Sequence, residues 1–125
     1  MRKLTRHHYS ETDEAVEITV DDDNVEEGAA PTEYLIELHS SNGAGRDLAI
    51  TLQFQDGAIH GEGANGVTNE ALLAVVMDRL QAWQQGDYAC RENALALTHI
   101  EQGLMWLQER TRERLERGVE GTEEL

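Results

Sequence analysis

The sequence predicts an α+β protein, a small antiparallel β-meander followed by a long αα-hairpin that mediates oligomerisation. Three observations predict it. Side chains alternate with period two from Tyr34 to His39 and from Leu48 to Phe54, as half-buried strands do. From Leu72 the period becomes helical, with Leu72, Leu73, Val76, Met77, Leu80 and Trp83 on one stripe. A second helical seam follows, Leu97, Ile100, Leu104, Leu107 and Thr111. Its helix would reach roughly 40 Å at ~1.5 Å per residue, more than one small sheet and a shorter helix can cover, so a partner chain is expected.

Taken in order, residues 1–33 read as an acidic arm. Its run Asp21-Asp22-Asp23-Asn24-Val25-Glu26-Glu27 is a solvated charge stretch, and the alternation of Val16, Ile18 and Val20 allows one short strand. Such an arm is expected to be dispensable, so that removing residues 1–14 preserves assembly and binding. Residues 34–64 form the sheet segment. A loop is expected over Ser40–Gly45, and Asp56-Gly57 signals a tight turn before a short strand at Ala58–His60. The glycine-rich GEGANG then links sheet to helix. Residues 65–122 form the hairpin domain. Thr68 is a good N-cap for a first helix over about 69–84, with Glu70 in its first turn. The second helix is expected over about Cys90–Arg117, closed by Gly118.

A chain of 125 residues is naturally one domain and is large enough for a core without disulfides or metals. The lone cysteine, Cys90, excludes an intrachain disulfide framework and suits a reducing cytoplasm. The basic start MRKLTRHHYS lacks an apolar run, so it is not read as a signal peptide, and no stretch approaches a membrane span. A net charge of -15 argues against general DNA or RNA binding, which needs a broad basic surface. A small anion in a focused basic pocket remains compatible with that charge.

Against this acidity stands a row of arginines. Arg110, Arg114 and Arg117 lie at i, i+4 and i+7, hence on one helix face, with Trp106, Gly103 and His99 upstream. Arg112 can pair with Glu116, and Glu113 with Arg117, while Arg110 has only Glu113 at i+3. Arg114 has no acid at i±3 or i±4. An anion, whose oxygens suit the guanidinium fork, and acids on a partner chain explain the row equally well. Trp83 ends the first stripe, where burial is the default, although a ring beside basic groups also suits stacking on a nucleobase.

Other motifs favour plain readings. Gly61-x-Gly63-x-x-Gly66 lacks the βαβ unit that a dinucleotide fingerprint requires. Cys90 sits at a helix N-terminus without a histidine at fixed spacing, which favours a packed or capping role over a nucleophile. No single element carries His, Cys and carboxylates at ligand spacing, so neither a metal nor a cofactor is expected.

The motifs NGVTNE, YACRENALALT, LMWL, RTRER and RGVEGT, between Asn65 and Thr122, resemble the phage Thoeris anti-defence family of nucleotide sponges. That family shares its helical hairpin with phage anti-CBASS sponges. The upstream ITLQFQDGAI is similar to the family's sheet segment, whereas the arm before Pro31 is not covered. The resemblance implies a non-enzymatic protein that sequesters cyclic ADP-ribose isomers in an infected or lysogenic bacterial cytoplasm. It also implies a second class of ligand, cyclic di- or trinucleotides, and a homo-oligomer that is a dimer or a hexamer of dimers. The implied ligand contacts are Trp83, Asn93, Arg110 and Arg114, at a dimer interface. Arg114→Ala is then expected to abolish binding and leave the fold intact. Four departures bear on ligand preference: Trp83 stands for the usual Phe, Asp87 for a common proline, His99 for a frequent lysine and Gly103 for a frequent alanine. Two rival readings are a hydrolase of the same messengers with His99 as base, and a structural oligomeric interaction protein.

Overall fold

The computed structural model describes residues 1–40 and 47–125. They form two compact units, Met1–Asp56 and Gly57–Leu125.

The first unit is a four-stranded antiparallel sheet in the order β1-β2-β3-β4, with β1 at Arg2–Leu4, β2 at Val16–Asp21, β3 at Glu33–Leu38 and β4 at Leu48–Gln53. Its register follows the alternation in the sequence. Ile18 faces Ile36, which faces Ile50, and Val20 faces Tyr34, which faces Leu52. One face therefore carries Leu4, Val16, Ile18, Val20, Tyr34, Ile36, Leu38, Leu48, Ile50 and Leu52, because successive side chains of a strand point to opposite sides. Val20 is fully buried on it, while Leu48 and Ile50 are exposed. The Phe54 ring meets Tyr34 edge-on at 5.5 Å between centroids, at the end of the same face.

Residues 1–33 contribute more than the one strand allowed by their pattern. β1 pairs along β2, and a 3-10 turn at Glu11–Ala15 lies between them. The acidic run is partly neutralised locally. The N-terminal ammonium and Arg2 hold Asp22, and Lys3 reaches Glu17 at 3.1 Å and Thr19 at 2.9 Å. That Lys3 bond lowers the pKa of Glu17. β1 is an edge strand by its place in the sheet order, and three basic groups close in sequence tie it to the acids of β2 and of the run after it. Deleting residues 1–14 removes β1 and these pairings, and it bares the edge of β2. The deletion is expected to lower the melting temperature of the sheet unit and to speed amide exchange in β2. Unchanged exchange along Val16–Asp21 would show that β1 adds nothing to the sheet.

The second unit corrects one expectation. The stretch after the Asp56-Gly57 turn is a four-residue helix, α1 at Ile59–Glu62, and not a strand. Three residues of alternation are too few to choose a period, and the backbone of Ile59 to Glu62 turns back on Ala58. Gly63, at φ 76°, ends it in a conformation that suits glycine. The loop expected over Ser40–Gly45 lies, apart from Ser40, outside the described residues.

Helix α2 spans Asn69–Gln84 and α3 spans Arg91–Arg117. Both starts and the long helix's end follow from local chemistry. Thr68 accepts from the Ala71 amide, and Cys90 Sγ accepts from the Asn93 amide. Gly118, at φ 73°, takes the left-handed conformation that closes a helix. Helices α2 and α3 pack together as a hairpin. Its inner stripe is mostly half-buried: Leu72, Leu73, Met77, Leu97, Ile100, Leu104 and Leu107 are partly covered and Leu80 is buried. Val75, Val76, Leu95, Met105, Trp106 and Leu115 remain exposed. Among the described residues no helix is long and apolar enough to cross a membrane.

Candidate functional site

Two of the four implied ligand residues meet at the turn of the hairpin. Trp83, 40% exposed, stands one residue before the end of α2, and Asn93 lies in the first turn of α3. Tyr88 joins them. Its carbonyl accepts from Asn93 Nδ2 at 3.1 Å, and its ring lies 6.2 Å from that of Trp83. Gln84 braces the turn by donating to the Cys90 carbonyl and accepting from the Cys90 amide. The Arg79 guanidinium sits 5.4 Å from the centre of the Trp83 ring. The result is an exposed aromatic pair, a cation and an amide within one turn, suited to holding a flat polar ring by stacking and hydrogen bonds.

Sequence reasoning missed Arg79 and Tyr88. The signal for Arg79 was present, since it precedes Trp83 by four residues on one helix face. Tyr88 had no such signal, because its place depends on how the turn closes. The capping role expected of Cys90 is the observed one, on an exposed residue.

Arg110 and Arg114 lie far along α3 from this cluster. From Asn93 they are roughly 25 Å and 30 Å away at 1.5 Å per residue, so one small ligand cannot reach both ends within one chain. Around them the row divides as its spacing predicts. Arg112 is gripped by Glu109 and Glu116, and Arg117 by Glu113. The Arg112 bond lowers the pKa of Glu109 and the pairing raises that of Arg112. Glu113 is thereby taken by Arg117, and Arg110 makes no hydrogen bond or ion pair among the described residues.

Arg114 differs from the expectation. It is 6% exposed, the one buried charged residue among those described. Its Nε donates to Glu120 at 3.2 Å, and Nη2 donates to the carbonyls of Val119 at 3.0 Å and Thr122 at 3.1 Å. Nη1 donates to the Glu124 carbonyl. The missing acid comes from beyond the helix, where Gly118 turns the chain back, so a count of helical neighbours does not find it.

A group of possible metal ligands also escaped the sequence, because it spans two strands. Ligand atoms of Glu17, Glu37 and His39 lie within 4.8 Å of one another. Lys3 already supplies Glu17 with a cation. His99, the candidate base of the hydrolase reading, is exposed and makes no hydrogen bond or ion pair among the described residues.

The family of the chain follows from its helical half. Residues 47–112 match the model of the Acb2/Tad1 hairpin domain. The chain belongs to this family. A relative from Bacillus phage SBSphiJ7, named Thoeris anti-defense 1, is 55% identical over 74 residues, which are 59% of this chain and 52% of the relative. The chain thus spans about half the length of that curated relative. All four implied contacts, Trp83, Asn93, Arg110 and Arg114, fall within the stretch from α2 to the end of α3, although Arg114 lies just past the matched hairpin-domain residues.

Proposed function

We propose that this protein is a phage anti-defence sponge. It binds cyclic nucleotide immune signals, foremost the cyclic ADP-ribose isomers of Thoeris, and withholds them from the defence effector in the host cytoplasm without cleaving them. Trp83 stacks on the adenine, Asn93 hydrogen-bonds to the ligand, and the forks of Arg110 and Arg114 take the phosphates. Family membership and the name of the phage relative support the anti-defence role.

The observation that carries the ligand reading is the inequality within the arginine row. Arg112 and Arg117 are neutralised by acids of their own helix, while Arg110 is exposed and has no partner among the described residues. In a chain of net charge -15, an exposed guanidinium with no acid beside it, on the same helix face as Arg114, is a place where an anion costs little.

Two chains build the site in this reading. A second hairpin running the opposite way brings its Arg110 and Arg114 to the Trp83 end, and two-fold symmetry gives two equal sites. The exposed Val75, Val76, Leu95, Met105 and Trp106 support such pairing, since a lone two-helix hairpin leaves these groups in water. Dimers assembled further into hexamers would offer separate pockets for cyclic di- or trinucleotides.

The test is release. The purified protein is incubated with Thoeris and CBASS messengers, separated from free ligand, and heated. Recovery of the intact messenger is the expected result. Recovery of a cleaved product would establish the hydrolase reading, and failure to retain any cyclic nucleotide would establish the plain interaction protein.

A further inference from the structure

The strongest unexplained feature of the second unit is the path of the chain after α3. Gly118 reverses it, and residues 119–125 fold back over the guanidinium of Arg114. Four of the five N–H donors of that guanidinium are engaged by the tail, three by carbonyls and one by the Glu120 carboxylate. Arg117 adds a bond to the Leu125 carbonyl at 2.7 Å. The far side of the tail is tied as well, for the Gly121 carbonyl accepts from the His60 amide of α1 at 3.0 Å. Thr122 and Val119 close a turn within the tail through Thr122 N–H to the Val119 carbonyl at 3.1 Å.

This arrangement imitates a bound anion. A carboxylate and three carbonyl oxygens present to Arg114 the kind of acceptors that a diphosphate would present. They come from the same chain, so their local concentration is high and independent of protein concentration. An anion can reach Arg114 only where those oxygens leave it.

We infer that the C-terminal tail, residues 119–125, is an intramolecular competitor for the anion seat on Arg114, and that the messenger's phosphates displace it on binding. The inference rests on the proposed role of Arg114 in holding the ligand. Its consequence is a lowered apparent affinity, because ligand binds only the fraction of molecules whose tail is open. With an open fraction of about 1–10%, removing the tail tightens binding about 10- to 100-fold. The chemistry also selects ligands. Only an anion that meets several donors at once replaces four bonds, so a diphosphate displaces the tail where a single carboxylate does not.

The experiment compares the 125-residue protein with a chain ending at Gly118, which lacks all four acceptors of the Arg114 guanidinium, and with Glu120→Gln. Calorimetry with a cyclic ADP-ribose isomer is expected to show at least 10-fold tighter binding for the shortened chain. Glu120→Gln, which weakens one of the four bonds and leaves the rest, is expected to give a smaller tightening of a few fold. In the 125-residue protein, adding the ligand is expected to speed hydrogen exchange at the Val119 and Thr122 amides. Unchanged or weaker affinity in a folded shortened chain overturns the inference and leaves the sponge reading intact. Slower exchange of the tail amides on adding ligand also overturns it, since the tail would then close over the ligand. If the shortened chain does not fold, Glu120→Gln and the exchange measurement decide in the same way. Failure of both the 125-residue and the shortened protein to bind the messenger overturns the sponge reading and the tail's role with it.

Discussion

Mixing Trp83→Ala protein with Arg110→Ala protein is expected to restore about one messenger site per mixed dimer, although each variant alone binds poorly. The reason is the length of α3. Asn93 and Trp83 sit at one end and Arg110 lies roughly 25 Å along the helix, so a site that uses all three takes them from two chains. Losing the Arg110 phosphate contact should weaken binding by about 1.5–3 kcal/mol, or roughly 10- to 150-fold. Losing the Trp83 ring should weaken it by about 1–3 kcal/mol, the range for stacking on a base. Neither change should unfold the chain, since both side chains are exposed. In a mixed dimer one site collects both lesions and the other collects neither. Half of the dimers in an equal mixture are mixed after random exchange, so calorimetry should report a stoichiometry near one quarter of the wild-type value at wild-type affinity. Exchange without recovery would place all the contacts within one chain and end the shared-site reading.

Arg114→Ala is expected to lower stability, in contrast to the expectation drawn from helical spacing. The substitution removes a nearly buried side chain and leaves Glu120 and the carbonyls of Val119, Thr122 and Glu124 without their donor. Hydrogen bonds to a charged group contribute about 1.5–3 kcal/mol, and the tail can recover part of that by fraying into water. A net loss of about 2–3 kcal/mol should lower the melting temperature by about 10 °C for a chain of this size. Arg112→Ala is the control. It breaks two exposed ion pairs on one helix surface, which water screens, and should leave the melting temperature nearly unchanged. Equal melting temperatures for the two variants would show that the tail contacts do not hold the fold. Binding measured on Arg114→Ala alone thus mixes a lost phosphate contact with a loosened tail, which is why Arg110→Ala is the cleaner partner in the mixing experiment.

Which elements form is legible in the sequence because the forces that choose them act over a few residues. Period two in Tyr34–Leu38 and Leu48–Phe54 sets strand, face and register, and the register pairs Ile36 with Ile50 as the alternation requires. Thr68, Cys90 and Gly118 mark the helix ends through bonds to amides and carbonyls within a turn of themselves. Ala58–Glu62 is the exception, since so short a stretch has no period to read and its backbone bonds decide for helix. The arginine row shows the same boundary in side-chain chemistry. The pairings of Arg112 with Glu116 and of Arg117 with Glu113 follow from spacing alone, because a helix fixes which side chains are neighbours. The partners of Arg114 do not. They lie five to ten residues further along a chain that has left the helix, and only the left-handed turn at Gly118 brings them back. Arg79 and Tyr88 divide in the same way around Trp83, the first placed by helical repeat and the second by closure of the turn. Local periodicity specifies neighbours on one element. Contacts made after the chain reverses depend on the backbone path, which no repeat encodes, and so tertiary structure alone settled whether Arg114 stood free or held.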